Sequence, residues 1–200
     1  MPDFPGLRRT HPRCDKVDSA ESGLSIRMSP PSPLLVSPGQ RALWFLHQLA
    51  PESPADILAE AVVVPGGFDP EAMTRALERV VARHPALRTT FEAPAGEPVP
   101  VVHERLPADV RVFDEPFADR RALALRLGEE AERPFDLAEG PVLRAAALQL
   151  APREHLMLTT LHHIACDGWS AGVLLGELGV LYRAFAAGRP SPLPELPLQY

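Results

Sequence analysis

The stretch "PVLRAAALQLAPREHLMLTTLHHIACDGWS", Pro141 to Ser170, governs the reading of the whole chain. Two apolar runs are separated by the polar turn "APRE", the pattern of a β-hairpin, and the second strand ends on His162 and His163. Asp167 and Gly168 follow, and then "WSAGVLLGELGVLYRAFAAG", a long apolar-faced helix closed by Gly188. Two imidazoles, an acid and a glycine thus meet at a strand-to-helix junction, where loop side chains tend to carry function.

Working outward, "DPEAMTRALERVVARHPAL" offers Asp69 as a cap, Pro70 in the first turn, and Met73, Ala76, Leu77, Val80 and Val81 at helical spacing. Before it, "ILAEAVVVPG" has the β-branched richness of a strand. In "VSPGQRALWFLHQLAP", Ser37 caps and Pro38 suits a first turn. Leu43, Trp44, Leu46 and Leu49 fall on roughly one face, and Pro51 stops the helix. "LRTTFEAPAGEPVPVVHE" reads as two strands around a turn, "VRVF" as another, and "ADRRALALRLGEEAERPF" as a second amphipathic helix. The mixture of hairpins and strand-helix-strand units predicts an α/β fold of two-layer α+β type, a mixed sheet covered by helices. Residues 1–33, mostly Pro, Ser, Arg, Asp and Gly, read as a flexible leader. Residues 34–188 form the folded part, and the proline-rich 189–200 reads as the start of a linker or a continuation, as if the chain were truncated from a larger architecture.

Composition narrows the partners. Two hundred residues at 46% hydrophobic content support a real core. The net charge of -6 is spread over interspersed acids and arginines with no basic stripe, which argues against nucleic acid. Cys14 and Cys166 form neither a disulfide framework nor a zinc spacing, and fit a reducing cytoplasm. No apolar run reaches the roughly 18 residues of a membrane span, and the first thirty residues lack the apolar middle of a signal peptide, so the chain is read as cytoplasmic, with no membrane partner.

His163 and Asp167 are four residues apart, which on a helix would suit a metal. The preceding "LMLTTL" is strand-like, and His155, His84 and His103 belong elsewhere, so the expectation is no metal. An imidazole that titrates near neutrality can instead take a proton from an attacking amine or hydroxyl, worth roughly 100- to 10,000-fold in rate. A nearby carboxylate can hold the loop by pairing with a buried arginine, and Gly168 permits close backbone approach and a sharp turn. Cys166 is read as a small buried thiol rather than a nucleophile, Ser37 as a helix cap, and Trp44 and Trp169 as core anchors before channel linings.

"HHIACDGWS" resembles the His-His-x-x-x-Asp-Gly signature of nonribosomal peptide synthetase condensation domains, which have the chloramphenicol-acetyltransferase-like fold. "SPGQRALWFL" (Ser37 to Leu46) resembles that family's opening motif, "RHPALRTTF" (Arg83 to Phe91) its second, and "RPFDLAEGPVLRAAAL" the segment before the signature. The resemblance spans about residues 36 to 200. With Trp169 and Ser170 after the glycine, the local form looks most like domains that join two L-configured residues.

The resemblance implies amide formation: the amine of an acceptor attacks a donor thioester and displaces its thiol. Both substrates arrive on the phosphopantetheine arms of donor and acceptor peptidyl carrier domains, and the chain itself binds no cofactor. His163 is implied as the base or the group orienting the amine. His162 is implied to be structural with its ring turned inward, and Asp167 to be structural and paired with an arginine, for which Arg83 and Arg88 are the candidates. Condensation domains have two lobes with a tunnel between them, and the matched stretch corresponds to the N-terminal lobe. The missing C-terminal lobe is then a partner, and the isolated lobe is expected to be inactive or nearly so. Two alternatives remain at this point: a non-catalytic module that docks carrier proteins, and a coenzyme A-dependent acyltransferase of the same fold.

Overall fold

Strand β6 (Glu154–His162) runs through the middle of a four-stranded sheet in the computed structural model, which describes residues 35–114 and 117–196. Its neighbours are β1 (Ile57–Pro65) and β5 (Leu143–Ala151), both antiparallel to it, and β4 (Asp109–Phe113) lies parallel to β5 at the far edge. The order β1-β6-β5-β4 makes the sheet mixed, as expected. The β5–β6 hairpin pairs Leu143 with Leu161 and carries an irregularity between Gln149 and Ala151. Strands β2 (Thr89–Glu92) and β3 (Val99–Val102) pair separately.

Both faces of the hairpin are covered, which is why its strands read as near-continuous apolar runs rather than alternating ones. Helices α2 (Pro70–Arg83) and α4 (Gly168–Ala186) pack on each other, and Met73, Leu77, Val80, Leu174 and Leu181 meet Leu143, Ala145, Ala147, Met157 and Leu161 in the main core. On the opposite face, Leu123, Leu127 and Ala131 of α3 (Arg120–Glu132) pack near Ala146, Leu148 and Leu158. The helices therefore lie on both sides of the sheet, adding a thin third layer to the two foreseen. Leu161, fully buried beside the histidines, ties the site to this core; truncating such a leucine typically costs about 2–5 kcal/mol.

The helix starts follow from local chemistry. Ser37 and Gln40 form a reciprocal capping box at α1 (Pro38–Leu49), Asp69 Oδ1 accepts from Ala72 N at 2.9 Å, and Asp119 caps α3 in the same way. The buried side of α1 is narrower than its sequence suggests. Leu43 and Trp44 pack against the core, but Leu46 and Leu49 are exposed, because the helix touches the lobe along the line of residues 40, 43, 44 and 47.

Gly140, just before β5, has φ +72°, and a Cβ there would stand 3.0 Å from Leu106 Cδ2 and 3.4 Å from Thr90 Cγ2. Only glycine fits that close approach. After α4, residues 189–196 have no regular secondary structure, yet Leu193 packs against the core and the Pro194 carbonyl accepts from Arg83. The start of the supposed linker thus lies against the lobe. The leader 1–33 and residues 197–200 fall outside the described residues. Among those described, no helix is long and apolar enough to cross a membrane.

Candidate active site

The two histidines occupy opposite environments because β6 ends between them. His162 is the last residue of the strand: its N–H donates to Val142 O at 3.0 Å, and its carbonyl accepts from Ala165 N at 3.0 Å, closing a turn. His163 sits inside that turn with its N–H held by Asp56 O at 2.8 Å, and its side chain is exposed. It lines a cleft of about 400 Å³ with Ser37, Gly39 and Gln40 on one wall and Asp167 and Ser170 on the other.

His162 is 2% exposed and boxed edge-on by Phe135 (5.8 Å between ring centroids) and His47 (5.5 Å). Its Nδ1 accepts from Ile164 N at 3.1 Å, which places the single ring proton of the neutral imidazole on Nε2. Burial drives its pKa down to about 4, helped by the neighbouring His47, His163 and Arg144. The His162 ring is thus neutral, buried and engaged by its own turn, and of the two histidines only His163 lines the cleft.

Arg144, which the sequence reading passed over, lies beneath this box. Its guanidinium stacks 3.6 Å from the Phe135 ring centroid and donates to the carbonyls of Pro134 and Arg133. Burial lowers its pKa to about 10, so it stays charged at neutral pH. An arginine inside the apolar run "VLRAAAL" was the available signal, since a buried charge must find partners.

Among the described residues, Asp167 does not pair with an arginine. It is the N-cap of α4: Oδ1 accepts from Ser170 N at 2.8 Å, and the hydrogen bonds from Ser170 hold its pKa below the usual value. Arg83 is turned inward, but its Nε meets Glu177 Oε1 at 3.0 Å, while His84 Nε2 meets the other oxygen of Glu177 at 2.7 Å. Arg88 donates to His103 O. The pairing foreseen for Asp167 with Arg83 or Arg88 is thus replaced: the helix backbone takes the aspartate, and Glu177, the lone acid of α4, takes Arg83. Gly168 is also not needed for a sharp turn or close approach within this lobe. It is the first residue of α4, its φ is not positive, and a Cβ there would meet nothing within 4 Å.

Trp169 is 85% exposed, so the core-anchor reading fails for it, whereas Trp44 is packed against the core. Cys166 is buried, and burial followed by the charge of Asp167 pushes its thiol up to about 11, far from a usable nucleophile. Among the described residues, no cluster of three or more His, Cys, Asp or Glu side chains is arranged to hold a metal.

A mixed sheet with helices on both faces and a histidine just past the end of an inner strand fits the chloramphenicol-acetyltransferase-like fold. The sequence profile of the family described as "Condensation domain" matches residues 33–200, and the chain belongs to that family. It is 42% identical over 187 residues to chondramide synthase from Chondromyces crocatus, covering 88% of this chain and 5% of that one. It is 44% identical over 167 residues to one of the subunits of linear gramicidin synthase from Brevibacillus parabrevis, covering 80% and 2%. Among solved structures, the X-domain from teicoplanin biosynthesis, in complex with OxyB, superposes with a TM-score of 0.76 at 30% identity over 86% of this chain and 37% of that one. The starter condensation domain of rhizomide synthetase RzmA shares the fold, with a TM-score of 0.72 at 23% identity, over 82% and 40% of the two chains. The chain therefore spans well under half of the solved domains and a few per cent of these two synthetases.

Proposed function

We propose that residues 34–188 are the N-terminal lobe of a nonribosomal peptide synthetase condensation domain and that His163 serves amide formation at its surface. The observation that carries this is the split between the histidines: His162 is neutral, buried and engaged by Ile164 N, whereas His163 stands free at the cleft. The acceptor amine attacks the donor thioester carbon, the nitrogen's proton passes to His163 Nδ1 or Nε2, the C–S bond breaks, and the departing thiol takes a proton back. Substrates come on phosphopantetheine arms of donor and acceptor peptidyl carrier domains, in the cytoplasm, and the lobe holds no cofactor of its own. Tethering raises effective concentration, and alignment of amine and thioester contributes more than proton transfer.

The lobe works against a C-terminal lobe that closes the cleft; the roughly 40% coverage of solved condensation domains supports this. With the cleft open to water, the lobe by itself is inactive or nearly so. His163→Ala in a complete condensation domain containing this lobe, supplied with aminoacyl carriers, tests the assignment: condensation should fall by about 100- to 10,000-fold.

One observation favours a second reading. The X-domain, at 30% identity, was solved in complex with a second protein, OxyB, and here Trp169 and Val173 stand exposed on α4. A lobe that only docks a partner would tolerate His163→Ala without loss. A coenzyme A-dependent acyltransferase would accept free coenzyme A thioesters in place of carrier-bound ones.

A further inference from the structure

Gln40 occupies the third position of α1 and uses both ends of its amide. Oε1 accepts from Ser37 N at 3.0 Å while Ser37 Oγ accepts from Gln40 N at 3.1 Å, completing the capping box. Nε2 points the other way and donates to Ile164 O at 3.3 Å, across 124 residues of sequence. Ile164 directly follows His163. The turn that displays the imidazole is held through its N–H groups by Asp56 O, His162 Nδ1 and His162 O. All three anchors lie on the sheet side. The hydrogen bond from Gln40 comes from the facing wall of the cleft, since the first turn of α1 lines one side and the loop from His163 to Ser170 the other.

We propose that Gln40 is a positioning residue for the condensation reaction, a brace that fixes the His163 turn against the α1 wall and so sets the place of the imidazole in the cleft. Its role in this proposal is exerted through the turn rather than on the reacting atoms. The inference rests on the role given to His163 above. Misplacing a reacting group by about 1 Å is enough to cost on the order of 100-fold in rate. A capping box accepts Glu as readily as Gln at this position, because only an acceptor oxygen is needed there. The box alone therefore gives no reason for an amide, whereas the contact to a carbonyl requires the N–H donor.

Gln40→Glu separates the two duties: it keeps the cap and removes the donor. In a complete condensation domain containing this lobe, the expected result is an unchanged thermal midpoint, kcat lower by about 10- to 100-fold, and KM for both carriers within about 2-fold. Gln40→Met, which brings no charge, should show the same loss of kcat together with a lower midpoint. In the present chain, amide exchange at His163, Ile164 and Ala165 should quicken by about 10-fold or more in both variants, a readout that does not depend on catalysis. Unchanged exchange in both variants overturns the proposal. So does a loss of kcat in Gln40→Glu that disappears on raising the pH and is absent in Gln40→Met, because that pattern belongs to added charge and not to a displaced ring. His163→Ala run in parallel keeps the two claims apart. If it is inactive while Gln40→Glu and Gln40→Met match wild type in kcat, the brace is wrong and the function stands. If it is fully active, the function is wrong, and the exchange data still decide the brace.

Discussion

His162 and His163 share a peptide bond, yet one ring is sealed between Phe135 and His47 and the other stands at the cleft. The sealed ring makes the lobe acid-sensitive. Its folded pKa of about 4 lies below the ordinary 6.5, so between these values the unfolded chain binds a proton that the folded lobe refuses. The stability tied to neutral His162 is fully present above about pH 6.5 and is lost as pH falls toward 4, on the order of 3 kcal/mol across that window. Urea titrations at pH 7 and pH 4.5 should show a drop that shrinks in His162→Asn, whose amide oxygen can still accept from Ile164 N but cannot titrate. An equal drop in both proteins would rule His162 out as the cause.

Asp167 and Asp69 do the same job at the starts of α4 and α2. Asp167→Asn should leave the thermal midpoint almost unchanged, since asparagine caps as well as aspartate, and Asp167→Ala should lower it by about 3 °C, as should Asp69→Ala. A large loss in Asp167→Asn would restore the ion pair with Arg83 or Arg88 that the structure does not show.

Glu177 is a carboxylate whose charge matters to the fold. Its side chain and that of Arg83 are both largely buried, and His84 shares it. Glu177→Gln leaves the Arg83 guanidinium without its counter-charge and should destabilise the lobe by about 2–4 kcal/mol in denaturant titration. A double-mutant cycle with Arg83→Met should return a coupling of about 1–3 kcal/mol. Additive losses would mean that the two groups act separately.

The Cys166 thiol, held near 11, should resist iodoacetamide at pH 8 in the folded protein and react once urea unfolds it, as read by peptide mass mapping. Cys166→Ala should retain condensation activity. Rapid alkylation of the native thiol with loss of activity would reopen the covalent route.

Much of the lobe is legible in the sequence. Ser37, Asp69 and the prolines beside them set helix starts through contacts within four residues, and Met73, Leu77 and Val80 announce a buried face by spacing alone. The burial of His162 depends on Phe135 and His47, which are distant in sequence. What stayed hidden depends on distant partners. Nothing near Asp167 in the sequence says whether Ser170 N or an arginine will claim it, and Glu177 gives no sign that α2 ends beside it. Trp169 is as apolar as Trp44, and burial is decided by what packs against each. The Gln40 contact, 124 residues long, has no local trace at all.

The central claim is that the imidazole of His163 assists the amine at the thioester. Its most direct measurement is single-turnover condensation between donor and acceptor aminoacyl carriers by a complete domain containing this lobe, wild type against His163→Ala, with thermal midpoints taken on the same samples. The loss should be at least about 100-fold at a nearly unchanged midpoint, because the side chain is exposed. Turnover within a few-fold of wild type in the folded variant would contradict it.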